Sequence, residues 1–379
     1  MSTSNDRGFE SFKEPEEQGK IVKCPSCGGN MTFDPATQTL YCEYCGNRVD
    51  FKKDKEVKEI AIEKAFAAAE KWNDAVTVRC DNCGAKVVIS ANEVATRCPY
   101  CGTAQIKKTE EIAGIKPNAV YPFTVTEQGA EDCAKRWCKK RLFAPRKFKK
   151  QIAADNLKGV FQPCFTFDSD TFSTYDGRVG KRRTRTVGTG KNQRTETYIE
   201  WKNISGTFSR FFDDVTIAAA KEFDQKKLNK IMPFNINTIA VYEKKYLAGY
   251  VANHYDKDVK TAWIEAKSTM DSIIRKAIIA QYNCDVVDYL NVSTNHQDVT
   301  YKYVLLPIYF LSYKYRKKQY GLFINGNTGK VAGKTPISPL RVAIAVLLGL
   351  GALIGILYLI VKSGAVDDIM SYCKELLPF

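Results

Sequence analysis

The chain has 379 residues and a formal net charge of +15, and hydrophobic residues make up 44% of it. This composition excludes a mostly disordered protein, and the length suits two or three folded units. The positive charge indicates an acidic partner, which could be nucleic acid, an anionic lipid surface or an acidic protein.

The N-terminal segment 1–20 is polar, mixed in charge and free of any apolar run. We therefore expect a disordered lead rather than a signal peptide. Of the 13 cysteines, most fall into Cys-x-x-Cys pairs, and the chain has only 2 histidines. This spacing predicts cysteine metal sites in a reducing compartment rather than a secreted disulfide framework.

The cysteine pairs build two modules of the same design, a first ribbon at 21–50 and a second at 77–108. Each module has two Cys-x-x-Cys-Gly motifs, and the spacer between them is long enough for a β-hairpin that brings the second pair back to the first. Four thiolates suit tetrahedral zinc and leave no open position for catalysis. We predict two structural Zn²⁺ ions in two zinc ribbons of β-hairpin knuckles, with eight ligands: Cys24, Cys27, Cys42, Cys45, Cys80, Cys83, Cys98 and Cys101.

Zinc ribbons bind nucleic acid in some proteins and contact protein in others. The first ribbon is slightly acidic and the second mildly basic. Because phosphate contacts dominate affinity for nucleic acid, we expect protein contact or a spacer role, with nucleic-acid binding as the alternative. A thioredoxin-like redox role would need a βαβ pattern, which the sequence lacks.

The segment 51–76 is rich in Ala, Glu and Lys and predicts a helical linker. Residues 115–335 predict an α+β domain. It has a helix from Glu127 to about Leu142, with Leu142 on its apolar stripe, and a long amphipathic helix from about Asp256 to Gln281. Strand patterns occur at 159–168, 195–201, 206–217, 238–242, 286–294, 298–313 and 318–325. The pair Asp213-Asp214 is expected in a turn.

The segment 342–361 has no charged residue and is flanked by Arg341 and Lys362. At about 1.5 Å per residue it would be roughly 30 Å long as a helix, which matches the hydrocarbon core of a bilayer. We therefore predict one C-terminal transmembrane helix, followed by a short tail at 363–379. Gly351 and Gly355 have the spacing that allows two such helices to approach closely, so self-association is a further possibility.

Two arguments predict that the bulk of the chain is cytoplasmic. Basic residues are more frequent before the span than after it, and reduced thiolates belong in the cytosol. Basic residues also cluster at 135–150 and in a hairpin at 178–194. Such runs are usually solvated faces; for a tethered chain, anionic lipid headgroups are the next interpretation and nucleic acid the third.

The sequence contains no nucleotide-binding loop, no nucleophile motif and no evident pair of catalytic carboxylates. We therefore expect a protein that is not an enzyme. An enzyme would require a substrate-sized pocket with perturbed titratable groups within 115–335.

The chain resembles a family of bacterial membrane-anchored double zinc-ribbon proteins, often labelled transcription-factor-IIB-type zinc-ribbon or primosomal-helicase-like proteins. The resemblance rests on the eight cysteines and on motifs such as Phe143-Ala-Pro145, Phe212-Asp-Asp-Val215 and Ile324-Asn-Gly-Asn-Thr-Gly-Lys330. The sequence departs from the family at Pro163-Cys-Phe165, where the family usually has Pro-Phe-Trp. The resemblance implies an adaptor that recruits cytosolic or membrane-associated proteins, such as flotillin-like or phage-shock-like partners, and it implies no catalytic residues.

Overall fold

The computed structural model describes residues 22–50, 56–67, 75–80, 86–90, 106–111, 115–145, 148, 157–189, 193–221, 223–315 and 318–362. The predicted lead 1–20 and tail 363–379 lie outside these ranges. So do parts of the linker 51–76 and of the second ribbon 77–108.

The first cysteine module folds as a small antiparallel sheet, and the predicted hairpin is confirmed. Its first two strands pair in register from Met31 opposite Cys42 to Asp34 opposite Thr39. Alternate side chains point to one face, which buries Met31 and Phe33 against the rest of the chain. The strands are β1 (Met31–Asp34), β2 (Thr39–Cys42) and β3 (Arg48–Asp50).

A 12-stranded sheet forms the body of the protein and is organised around three long strands. The central strand β9 (Leu157–Val187) pairs antiparallel with β10 (Arg194–Ala218) on one side and with β13 (Val286–Tyr315) on the other. At roughly 3.3 Å per residue, the 31 residues of β9 extend about 100 Å. The three strands form the longest part of the sheet, called the arm below. β13 reaches Gly180 of β9, and beyond it only the β9–β10 hairpin continues in the described part of the chain.

The shorter strands join this sheet on the Leu157 side of the arm or pair with one another there. The strand Lys318–Asn325, for example, pairs with β13 from Ile308 opposite Asn325 to Tyr315 opposite Lys318. The short strands are β4 (Ile60–Ala61), β5 (Ala75–Cys80), β6 (Lys86–Ser90), β7 (Ile106–Glu111), β8 (Ala119–Val120), β11 (Ala240–Val241), β12 (Val251–Asn253), β14 (Lys318–Asn325) and β15 (Val331–Gly333).

The described body is mostly β-structure, and its strands are longer than the sequence predicts. The predicted strands 195–201 and 206–217 are parts of β10, and 286–294 and 298–313 are parts of β13. The sequence shows breaks because polar residues interrupt the apolar pattern. Pairing with β9 nevertheless continues across both breaks. The register is unchanged from Trp201 to Gly206 on β10, and it shifts between Gln297 and Thr300 on β13.

The helices are α1 (Ile62–Ala67), α2 (Glu127–Lys139), α3 (Gln225–Ile231), α4 (Val259–Ala280) and α5 (Pro339–Lys362), with short 3-10 helices at Ile236–Thr238 and Lys244–Leu247. In the predicted helical linker, Ile60 and Ala61 are in a strand instead, because they pair with Tyr301 and Thr300 of β13. The described helix of this segment is the short α1.

The long amphipathic helix is confirmed as α4, which covers one face of the arm. Asp258 caps its N-terminus, where the carboxylate accepts a hydrogen bond of 2.9 Å from the amide of Thr261. Side chains at helical spacing face the sheet and are fully buried, namely Ala262, Ala266, Met270, Ile274 and Ile278.

The helix predicted from Glu127 to Leu142 is shorter than expected, and Leu142 is not part of its buried stripe. Helix α2 ends at Lys139, and the side chain of Leu142 is 75% exposed. The chain leaves the helix because the amides of Arg141 and Ala144 form local turns, with hydrogen bonds of 3.0 and 3.2 Å to Cys138 and Arg141. This loop contacts the start of α5.

Helix α5 contains the predicted span 342–361 and begins slightly earlier. Its segment Pro339–Leu359 is 21 residues long and apolar enough to cross a membrane, and none of its most apolar stretch is buried against the described chain. A Cβ atom added at Gly351 or Gly355 would meet nothing within 4 Å. The helix therefore extends away from the folded body.

Candidate metal centre

The four cysteines of the first ribbon come together in the structure. One ligand atom from each of Cys24, Cys27, Cys42 and Cys45 lies within 4.8 Å of the others. The sulfurs of Cys24 and Cys45 are 3.5 Å apart, as are those of Cys27 and Cys42. Thiolates about 2.3 Å from a tetrahedral zinc ion would lie about 3.8 Å from one another. The group can therefore hold a metal ion.

Two matching turns bring the sulfurs to one point. The amide of Gly28 donates to the carbonyl of Cys24 at 2.9 Å, and the amide of Gly46 donates to that of Cys42 at 2.9 Å. These glycines have φ angles of +71° and +75°, a left-handed conformation that side chains disfavour. The glycine of the Cys-x-x-Cys-Gly motif thus has a geometric reason.

Backbone amides in these turns stabilise the thiolate form that a metal requires. Burial opposes ionisation of Cys24, but hydrogen bonds from the amides of Cys27 and Ser26 outweigh it and lower the pKa of this thiol to about 6. The pKa of Cys42 is also lowered, chiefly by the amide of Cys45. Because a deprotonated sulfur is the metal ligand, the lowered pKa values of Cys24 and Cys42 favour a cation at the site. Without a metal the four thiols share protons, and although a backbone amide favours the thiolate of Cys45, hydrogen bonds with Cys27 and Cys24 raise its pKa to about 12.

The first ribbon packs directly against the body. The amide of Phe33 donates to the carbonyl of Ala248 at 3.0 Å, and the ring of Phe33 meets that of Tyr246 edge-on at 5.6 Å. The side chain of Gln38 donates to the carbonyl of Phe123 at 2.7 Å. The metal site is therefore coupled to a surface of the body through the packing of the ribbon.

The second predicted metal site lies mostly outside the described residues. Cys80 ends strand β5, whereas Cys83, Cys98 and Cys101 fall outside the described ranges. Strands β5 and β6 pair with each other, and Val88 of β6 pairs with Ala252 of the body. The site at these cysteines stays a prediction.

The structure contains a buried ionic cluster that the sequence patterns do not predict. The ammonium of Lys302 lies 3.0 Å from a carboxylate oxygen of Asp168, 2.9 Å from one of Asp214 and 2.9 Å from one of Glu59. The side chains of Lys302 and Asp168 are only 7% and 4% exposed. Carboxylate oxygens of Asp168, Asp213 and Asp214 also lie within 4.8 Å of one another, so the cluster is rich in negative charge.

Irregularities in the long strands create this cluster. The register of β9 and β10 shifts between Phe212 and Val215, where Asp214 adopts a left-handed φ of +52°. The amide of Asp214 then donates to Asp168 at 2.5 Å. Asp213-Asp214 therefore forms a β-bulge rather than the expected chain-reversing turn. A short-range pattern could not reveal the cluster, because its members come from distant parts of the chain.

Burial and neighbouring charges shift the pKa values of the groups in this cluster in different directions. Burial raises the pKa of Asp168 to about 6. Burial also opposes ionisation of Glu59, but contacts with Lys302 and Thr300 lower the pKa of this carboxyl to about 2. Burial disfavours the charged form of Lys302, but its carboxylate partners, Glu59 and Asp214 foremost, raise the pKa of the ammonium overall. The cluster is thus an ion-pair network that joins segment 56–61 to the arm.

The predicted basic hairpin is partly neutralised by acidic residues. Arg183 pairs with Glu200 at 2.9 Å, and Arg185 and Arg194 approach Glu196 at 3.4 and 2.8 Å. Arg185 lies directly opposite Glu196 and Arg183 is diagonal to Glu200 in the antiparallel β9–β10 pair, whereas Arg194 and Glu196 are two residues apart on β10. The net positive charge of the folded hairpin is therefore smaller than the basic run in β9 alone would indicate.

No family model matches the chain, and no solved structure matches it. A curated relative does match, "Uncharacterized protein YdjG" from Bacillus subtilis (strain 168). The two chains are 30% identical over 327 residues, which is 85% of this chain and 91% of the relative. The chain belongs to the same family as the Bacillus subtilis protein YdjG.

Proposed function

We propose that this protein is a membrane-anchored zinc-ribbon adaptor that presents docking surfaces to partner proteins on the cytoplasmic side. The observation that carries the proposal is α5, whose apolar segment Pro339–Leu359 is not buried by the described chain. An exposed apolar surface of this length is unfavourable in water, whereas it is favourable in the hydrocarbon core of a bilayer. The anchor would hold the ribbons and the β-rich body next to the membrane.

In this proposal both ribbons bind zinc and have structural roles. The thiol group at Cys24, Cys27, Cys42 and Cys45 supports this for the first ribbon, and the repeated motif supports it for the second. Reduced thiolates require a reducing compartment, which favours a cytoplasmic body and a short tail on the other side. The zinc-ribbon family resemblance favours the same arrangement.

The arm offers a surface suited to protein contact. Helix α4 covers one face of its three strands, and Phe172 and Phe211 are exposed on the opposite face. Ser209 lies opposite Phe172 and Asp170 lies opposite Phe211, so the two rings are diagonal neighbours. Aromatic side chains within a polar surround are typical of interface centres. We take this face of the arm as the docking surface.

Crosslinking in native membranes tests the proposal. A photo-reactive side chain at Phe211 should yield a defined protein adduct, and Phe211→Asp should remove the partner from a pull-down of the full-length protein. The matched control is Ile264→Asp on α4, because Ile264 is 67% exposed and Phe211 is 59% exposed. Equal retention of the partner by both variants would refute docking on the arm. The first partners to test are the flotillin-like and phage-shock-like proteins that the resemblance implies.

A membrane-tethered nucleic-acid-binding protein is the second candidate. The observation in its favour is that arginines lie over exposed aromatic rings at the arm's end: Arg178 over Trp201 at 5.0 Å and Arg185 over Tyr198 at 5.6 Å. The acidic partners of the basic hairpin weigh against it. Salt-dependent binding of DNA or RNA that is lost when Arg182, Arg183 and Arg185 become Glu would favour this candidate.

A further inference from the structure

The loop after α2 is fastened to the beginning of the apolar helix. The amide of Ser338 donates to the carbonyl of Phe143 at 2.8 Å. The guanidinium of Arg341 donates to the carbonyls of Leu142 and Ala144 at 2.9 and 2.8 Å. Three hydrogen bonds thus hold the loop Arg141–Ala144 next to the point where α5 begins.

The side chains around these bonds are apolar and exposed. Leu142 is 75% exposed and Leu340, in the first turn of α5, is 69% exposed. Phe143 and Ile337 are exposed as well. The apolar surface of the helix therefore continues onto the loop instead of ending at the body. Continuity with the membrane span indicates that the same solvent, lipid, covers both.

Basic residues border this apolar surface. Lys139 and Lys140 are exposed at the end of α2, and the guanidinium of Arg141 lies over the ring of Trp137 at 4.4 Å. Apolar side chains with lysine and arginine at their edge, and an aromatic ring nearby, match the headgroup region of a bilayer. The positive charge matches anionic lipid phosphates and carboxylates.

We infer that the loop Arg141–Ala144 is a second membrane contact, with Leu142 and Phe143 in the headgroup region and the basic residues on anionic lipid. This inference rests on the proposed membrane anchoring by α5. It adds that the body is held at two points and cannot rotate freely about its anchor. The loop's occupant is therefore the lipid surface and not a protein partner.

Quenching of tryptophan emission by brominated lipid tests the contact. The full-length protein is reconstituted in phosphatidylcholine vesicles with and without phosphatidylserine, and each variant is compared with the wild type. Leu142→Trp places the reporter in the loop, Tyr358→Trp in the helix and Tyr198→Trp near the far end of the arm. All three positions are exposed, so a new ring is tolerated.

We expect the emission added at 142 to be strongly quenched, less than that at 358 but well above that at 198. Lys139→Glu with Lys140→Glu should reduce the part of the quenching that depends on phosphatidylserine. Quenching at 358 without quenching at 142 would overturn the loop contact and leave the anchor intact. Blue-shifted but unquenched emission at 142 would indicate a protein neighbour and would also overturn it. Absence of quenching at 358 would refute the anchor itself, and the inference with it.

Discussion

Replacing Lys302 with methionine tests whether the buried ionic cluster holds the body together. The ammonium contacts the carboxylates of Asp168, Asp214 and Glu59 at 3.0, 2.9 and 2.9 Å. Methionine is similar in length and fills the same space, so the change removes the charge and leaves little cavity. Three carboxylates then face one another without a cation.

The expected loss is about 3–5 kcal/mol of unfolding free energy at neutral pH, which is usual when one partner of a buried ion pair is removed. The loss should shrink as the pH falls. Burial raises the folded-state pKa of Asp168 to about 6, above its ordinary 3.8. The stability linked to this raised pKa is present below 3.8 and is lost as the pH rises through about 6. Without Lys302 this pKa is higher still, so the variant regains stability by binding a proton at mildly acidic pH.

Loss of the contact with Glu59 lowers the unfolding free energy of the variant by an amount that changes little between pH 5.5 and pH 7.5. Lys302 helps to lower its pKa to about 2, and the stability linked to a lowered pKa is present above the ordinary value of 4.5. The variant forfeits that contribution equally at pH 5.5 and at pH 7.5. The pH dependence of the difference between variant and wild type therefore reports mainly on Asp168.

Urea unfolding of the full-length protein in detergent, at pH 7.5 and pH 5.5, measures this difference. Protonation of the metal thiols affects variant and wild type alike and cancels. Lys257→Met is the control, because Lys257 pairs with Glu265 at 2.7 Å but both side chains are partly exposed, and such pairs contribute about 0–1 kcal/mol. Equal losses in the two variants, or a loss at Lys302 that is the same at both pH values, would refute the reasoning.

Further predictions concern the ribbon, its contact with the body and helix α4. Cys42→Ala should lower the bound metal measured by elemental analysis, and the melting temperature with it, whereas Cys284→Ala should leave the metal unchanged. Gly249→Ala should cost about 1–2 kcal/mol in urea unfolding, because φ is +83° there and the new methyl would approach Thr32 at 3.2 Å; an unchanged midpoint would contradict this. Asp258→Ala should cost about 1 kcal/mol by loss of the helix cap, and Asp258→Asn should restore most of it.

The sequence predicts best the features that depend on short-range chemistry. The Cys-x-x-Cys-Gly motif predicts the clustering of Cys24, Cys27, Cys42 and Cys45. The 3.6-residue pattern predicts α4, and the uncharged run predicts α5. In each case the residues that determine the feature are neighbours in the chain or on one helix face.

The arm and the ionic cluster could not be predicted, because both depend on pairing between distant segments. β9 and β13 are long because each supplies the other's hydrogen bonds, even where polar residues interrupt their own patterns. Lys302 and Glu59 are 243 positions apart. The prediction for Leu142 is wrong for a different reason. Its spacing suits the apolar stripe of α2, but a hydrogen bond from Arg341 holds its loop at the start of α5.

The two proposed membrane contacts determine where partners would meet the protein. Gly333 pairs with Leu322, Leu322 with Leu311, and Leu311 with Leu157. The start of β9 is therefore three strand spacings, about 14 Å, from Gly333, which precedes α5. From that point β9 extends about 100 Å, at roughly 3.3 Å per residue. A body held at one point could swing this arm freely, whereas a body held at two points fixes its direction. Arg341→Ala breaks two of the three hydrogen bonds that hold the loop at the start of α5. We therefore expect crosslinks from Phe211 to spread over more neighbours in this variant, while the anchor still holds the protein in the membrane.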